Sequence, residues 1–132
     1  MNEKKVLIVE DEGLLAMNMK RVLVNGGFSV TGIAVSGEKA LKSVKENRPD
    51  LVLMDIKLKG KLDGIETVEL INEQHSIPVI YLSAHADENT MNRASRTNPI
   101  GFIRKPVEEG QLCRIVRNVL KNYKPENIAQ ET

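Results

Sequence analysis

Five side chains in this 132-residue chain could do chemistry together. Glu10 and Asp11 follow the apolar run 6–9, Asp55 follows 51–54, Ser83 follows 80–82, and Lys105 comes just after 100–103. Any one of them is ordinary, because the ends of strands meet water. The set is less so. Three carboxylates brought together repel one another unless a cation holds them. Hard oxygen donors of this kind suit Mg²⁺, which takes one or two carboxylates, a carbonyl and waters at about 2.0–2.1 Å. The sequence has no His/Cys cluster to favour zinc. Lys105 adds a fixed positive charge and Ser83 a hydroxyl donor. Carboxylates, a hard cation, a lysine and a hydroxyl are the parts of a phosphoryl-transfer site. There is no G-x-x-x-x-G-K and no G-x-G-x-x-G, so the phosphoryl group arrives on something other than a cradled ATP.

Such a site needs elements that deliver distant residues to one edge. Short apolar runs recur at 6–9, 30–35, 51–54, 78–82 and 100–103. They lack polar alternation, which suits strands covered on both faces of a parallel sheet. Helical spacing lies between them at 14–24, 38–45, 65–72 and 87–96. In the last helix Leu112, Ile115, Val116, Val119 and Leu120 follow i, i+3, i+4, i+7, i+8. The segment 87–96 is the weakest: Asp87 can cap it, but only Met91 and Ala94 offer an apolar stripe. Five strands alternating with five helices give an α/β, doubly wound domain with right-handed crossovers. In such sheets ligands bind outside the carboxyl ends of the strands, where the candidate residues stand.

Composition sets the bounds. The length fits one domain. Nineteen basic and eighteen acidic residues nearly cancel, which argues against a direct nucleic-acid binder. The single cysteine, Cys113, excludes an internal disulfide framework and a Cys-rich metal site, and fits a reducing cytosol. No apolar run nears the roughly 18 residues of a membrane span, so no membrane insertion and a cytoplasmic location are expected. Cys113 lies beside the apolar stripe of the last helix and reads as structural.

The ordered motifs resemble the receiver domain of two-component response regulators. They are Val6-Leu7-Ile8-Val9-Glu10-Asp11-Glu12, Asp50-Leu51-Val52-Leu53-Met54-Asp55-Ile56, Asp63-Gly64-Ile65-Glu66, Ile77-Pro78-Val79-Ile80-Tyr81-Leu82-Ser83-Ala84 and Gly101-Phe102-Ile103-Arg104-Lys105-Pro106. The resemblance covers about residues 4–122. It implies a flavodoxin-like five-stranded parallel sheet of order 2-1-3-4-5, flanked by five helices. It also implies a receiver unit over 1–123 and a polar tail or linker start over 124–132.

The roles of the residues follow from the same resemblance. Asp55 is the expected phosphoacceptor, taking a phosphoryl group from the phosphohistidine of a sensor histidine kinase or a phosphotransfer protein. Glu10, Asp11, Asp55 and the backbone carbonyl of Lys57 would hold Mg²⁺, with Mn²⁺ as a substitute. Ser83, Ala84 and Lys105 would bind phosphoryl oxygens. Ser83 and Phe102 would form the switch, with Phe102 moving inward behind Ser83. Lys57 and His85 would set the phosphoryl lifetime. Pro106 matches the proline that the family often holds after a cis bond. The output would be a downstream protein or an attached domain, reached through the fourth helix, fifth strand and fifth helix.

This sequence also departs from the family pattern. The loop Ile-Lys-Leu-Lys-Gly-Lys-Leu after Asp55 is one residue longer than the commonest form, and Lys59 replaces the usual proline. Asn98-Pro99-Ile100-Gly101 lacks the acidic motif of one familiar dimer mode, so no homodimer is predicted. Arg93, Arg96, Arg104, Arg114 and Arg117 read as a charged solvated face, with partner docking as the sharper alternative. Among competing functions, an Asp-nucleophile phosphatase would want a carboxylate where Lys57 stands. A flavodoxin-like cofactor binder would want a Ser/Thr/Gly-rich loop where Glu10-Asp11-Glu12 stands. A receiver that signals without phosphate would not need the full residue set. A receiver excised from a larger regulator or hybrid kinase is the remaining alternative. The resemblance implies a self-phosphorylating switch with slow autodephosphorylation rather than a multiple-turnover enzyme.

Overall fold

The computed structural model describes residues 3–123. The expected tail 124–132 lies outside the described residues. Five strands, β1 (Lys5–Val9), β2 (Ser29–Ala34), β3 (Leu51–Asp55), β4 (Val79–Ser83) and β5 (Gly101–Arg104), form one sheet of order β2-β1-β3-β4-β5. Every pairing is parallel. Five helices alternate with them: α1 (Gly13–Asn25), α2 (Gly37–Glu46), α3 (Gly64–Gln74), α4 (Glu88–Ser95) and α5 (Glu109–Asn122). This is the flavodoxin-like doubly wound fold.

Alternation along the strands divides the core in two. Leu7 and Val9 join Val52, Met54 and Tyr81 on the face that also holds Val44, Val68, Ile71 and Ala94 of the helices. Val6 and Ile8 join Leu51, Leu53, Ile80 and Leu82 on the face with Met19, Leu23, Leu112 and Val116. The three central strands are buried almost throughout, which explains their unbroken apolar runs. Each fully buried side chain of this size contributes about 1.5–3 kcal/mol.

The edge strands differ. β2 is only half-buried except at Ala34, and β5 buries only Ile103. β1 pairs with β2 through a register shift, Val6 with Val30 and then Leu7 with Gly32, so Thr31 is the extra residue.

Local signals set the helix starts. Ser36 accepts from the Lys39 N–H, and Asp87 accepts from the Thr90 N–H at 2.7 Å. Asp63 forms a capping box with Glu66 at the start of α3. α4 buries only Ala94, in keeping with its thin stripe.

The five late arginines do not make one patch. Arg93 of α4 reaches Asp63 at the start of α3 at 3.4 Å. Arg117 of α5 lies 5.6 Å over the Phe28 ring and donates to the Gly26 carbonyl, on the α1 side. Cys113 faces the Val22 carbonyl in the same α1–α5 seam.

Candidate functional site

The parallel register sets the site. β1, β3 and β4 end at one edge, with Val9 beside Met54 and Asp55 beside Leu82. Asp55 closes β3, and Glu10 and Asp11 begin the loop after β1. Ser83 closes β4 beside Arg104 of β5, so Lys105 leaves the sheet next to it. The Lys105 N–H donates to the Ser83 carbonyl at 2.9 Å. The Lys105–Pro106 peptide bond is cis.

Gly64 fixes the backbone below Asp55. Its N–H donates to the Ile56 carbonyl at 3.0 Å, and a Cβ at this position would collide with the Asp55 carbonyl. The first residue of α3 therefore sits directly against the strand end that carries the central carboxylate.

Glu10 is wholly buried and Asp55 nearly so, while Asp11 is half-buried. One carboxylate oxygen from each lies within 4.8 Å of the others. The Lys105 ammonium stands 2.7 Å from Glu10 Oε1 and 3.4 Å from Asp55 Oδ1. Backbone amides also reach all three carboxylates. The Glu12 N–H donates to Glu10 Oε2, the Lys57 N–H to Asp55 Oδ1, and the Lys59 N–H to Asp11 Oδ2.

Burial pushes the Glu10 carboxyl above its ordinary value, against the pull of Lys105 and the Glu12 amide, and the Asp55 charge adds to the rise. For Lys105, burial alone favours the neutral amine. Its pairing with Glu10 and Asp55 outweighs that, and the ammonium is held above its ordinary value.

The donor set fits a hard divalent cation. Three carboxylates and one ammonium share the edge. The buried Glu10 Oε1 has the Lys105 ammonium as its close partner, at a distance usual for a charge-assisted contact. Glu10, Asp11 and Asp55 would hold the cation, and its charge would offset theirs.

A cavity of about 220 Å³ opens above the carboxylates. Asp11, Glu12, Asp55, Lys57, Lys59, Ser83, Ala84, His85 and Lys105 line it. A second, of about 350 Å³, lies between the β4–α4 segment and β5, lined by Ser83, Ala84, His85, Ala86, Met91, Phe102, Ile103 and Arg104. Ser83, Ala84 and His85 border both. Phe102 is 38% exposed and stacks on Tyr81, with ring centroids 5.7 Å apart. The Tyr81 hydroxyl in turn bonds the Thr97 hydroxyl just beyond α4, at 2.8 Å.

Sequence reading missed two features. Leu14 and Met17 of α1 point outward, 90% and 65% exposed, just past the acidic loop. Helical spacing over 14–24 predicts the helix, but it does not tell which of its apolar residues face solvent. The Lys59 amide on Asp11 is a backbone group, which residue types do not announce.

Comparison with known proteins agrees with this geometry. The family model described as "Response regulator receiver domain" matches residues 6–117. PdtaR of Mycobacterium tuberculosis, a transcriptional regulatory protein, is 27% identical over 92% of the chain, which spans 58% of it. The chain spans little more than half the length of several such relatives. The chemotaxis protein CheY of Thermotoga maritima is 29% identical over 89% of the chain and 98% of its own length. Among solved structures, the signal receiver domain of a modulated diguanylate cyclase from Desulfovibrio desulfuricans superposes with a TM-score of 0.85. It is 36% identical, covering 92% of this chain and 96% of that one. With a matching fold, an acidic strand-end cluster and a family match over most of its length, this chain belongs to the response regulator receiver domains of two-component signal transduction.

Proposed function

We propose that the protein is a phosphorylation switch in which Asp55 accepts a phosphoryl group from a phosphohistidine. An Asp55 carboxylate oxygen forms a bond to phosphorus while the P–N bond to the donor imidazole breaks. The products are an acyl phosphate on Asp55 and a histidine on the donor. The transition state is loose, so positioning and charge neutralisation matter more than nucleophile strength. Lys105 stands ready to pair with the phosphoryl oxygens, and Ser83 and Ala84 line the same cavity. Mg²⁺ held by Glu10, Asp11, Asp55 and the Lys57 carbonyl would supply further positive charge, and Mn²⁺ would substitute for it.

The observation that carries this reading is the Lys105 ammonium 3.4 Å from Asp55, inside a cluster of three carboxylates and under an open cavity. Phosphorylation adds about −1.5 to −2 charge there, together with new hydrogen-bond acceptors. Ser83 can answer those acceptors. Because Ser83 also borders the Phe102 cavity, its shift reaches the α4–β5–α5 face. α4, with a single buried residue, resists little.

The donor is a sensor histidine kinase or phosphotransfer protein. The exposed Leu14 and Met17 of α1 would offer it an apolar footing. The output is a separate protein or an attached domain. The similarity to longer regulators supports the attached form, and the near-complete coverage of CheY supports the separate one. The receiver unit occupies 1–123 and works in the cytoplasm. Among the described residues no helix is long and apolar enough to cross a membrane. Incubation with a small phosphodonor, with and without Mg²⁺, tests the reading. One acid-stable, base-labile adduct on Asp55 supports it, and steady turnover of a phosphoester supports an Asp-nucleophile phosphatase instead.

A further inference from the structure

The loop between β3 and α3 carries a feature that the receiver reading does not require. The Lys59 side chain is exposed, yet its backbone N–H turns inward and donates to Asp11 Oδ2 at 3.1 Å, joining loops 48 residues apart.

The neighbours of Lys59 hold that amide in place. Leu58, immediately before it, is only 6% exposed and belongs to the core cluster with Ile56, Ile65 and Val68. Gly60, immediately after it, has φ of +109°, a conformation that a side chain would strain. Leu62 then packs over the start of α2, where a Cβ added to Gly37 would lie 2.8 Å from the Leu62 Cβ. Two leucine anchors and one glycine turn thus fix the short span that carries the Lys59 amide.

Asp11 is the least buried of the three clustered carboxylates. With one oxygen held by the amide, its other oxygen can serve the cluster. An aspartate without that restraint would spend part of its time in solvent-facing rotamers. Groups that orient a metal ligand in this way typically change metal affinity 10–100-fold when removed.

We propose that the backbone N–H of Lys59 is the positioning donor for Asp11, setting this chain's affinity for its divalent cation. The proposal rests on the cation-binding reading above.

The test is Mn²⁺ binding to the unphosphorylated protein, read by electron paramagnetic resonance of the free ion. Lys59→Pro removes the N–H, whereas Lys59→Ala removes only the side chain. Lys59→Pro should weaken Mn²⁺ binding by about tenfold, and Lys59→Ala should leave it within a factor of two. In an Asp11→Ala background, Lys59→Pro should have no further effect, because a group that acts through Asp11 has nothing left to position. Should the proline variant fail to fold, a backbone ester at position 59 removes the same N–H without the ring and should give the same loss. Unchanged affinity in the proline or ester variant overturns the proposal. So does an equal loss with Asp11 already removed. A wild-type protein that takes up no Mn²⁺ overturns the cation reading itself.

Discussion

Lys105 places its ammonium 2.7 Å from Oε1 of Glu10, a carboxylate that no solvent reaches. The same ammonium is 3.4 Å from Asp55. One cation therefore serves two acids, one deep in the fold and one at the floor of the cavity. In the resting protein it offsets the repulsion among carboxylates. In the proposed transfer to Asp55, the ammonium would already be within reach of the new oxygens.

Replacing Lys105 by methionine keeps most of the packing and removes the charge. Adduct formation from a small phosphodonor should slow by about 10²-fold, the usual effect of deleting one positioned electrostatic donor. Rapid-quench kinetics at saturating Mg²⁺ would measure this. A rate within twofold of the wild type would remove Lys105 from the phosphoryl site.

Lys57 and His85 both line the cavity that Asp55 also lines. In the proposed phosphoprotein their side chains would restrict how water approaches the phosphoryl group. The double change Lys57→Asn and His85→Glu opens the mouth and adds a carboxylate that can orient water. The acyl phosphate should then hydrolyse several-fold faster. Loss of label from purified phosphoprotein gives the rate, and an unchanged lifetime would contradict the assignment.

Gly64 has no room for a side chain beside the Asp55 carbonyl. Gly64→Ala must push α3 away from β3. A loss of about 1–3 kcal/mol is expected from overpacking of this kind, with slower phosphorylation because the Asp55 backbone moves. Urea unfolding measures the first effect. Wild-type stability would mean that the contact relaxes without strain.

Tyr81 gives a pH signature away from the acidic cluster. Burial raises its phenol from 10.0 to about 12, only partly opposed by the bond to Thr97. The folded state keeps the proton where the unfolded chain has lost it. The stability this provides is therefore fully present below pH 10 and is lost as pH rises from about 10 to about 12. Phenolate absorbance should show a step near pH 12 that is missing in Tyr81→Phe. A Tyr81 step at its ordinary value would contradict the burial argument.

Much of this was legible in the residues, for physical reasons. β1 and β3 are apolar runs cut off by carboxylates, so their order and their chemistry share one signal. Asp87 reads as a cap because a short carboxylate before a helix has one good use. The weakness of α4 is visible in a segment with two apolar positions, of which only Ala94 is buried. Other features depend on packing that a linear pattern does not encode. Leu14 belongs to the helical stripe of α1 and still faces solvent. The Lys59 amide and the Gly37–Leu62 contact appear only once loops from different crossovers meet at one edge. Arg117 looks like a surface charge until α5 lies against α1 and brings it over Phe28.

The most direct test is the fate of Asp55. Wild-type protein and Asp55→Ala are incubated with a small phosphodonor, with and without Mg²⁺, and intact mass is recorded. Phosphorylation at Asp55 requires a single adduct in the wild type that depends on Mg²⁺, survives acid, is lost in base and is absent from Asp55→Ala. An adduct of equal yield in Asp55→Ala, or none in the wild type with Mg²⁺ present, would contradict it.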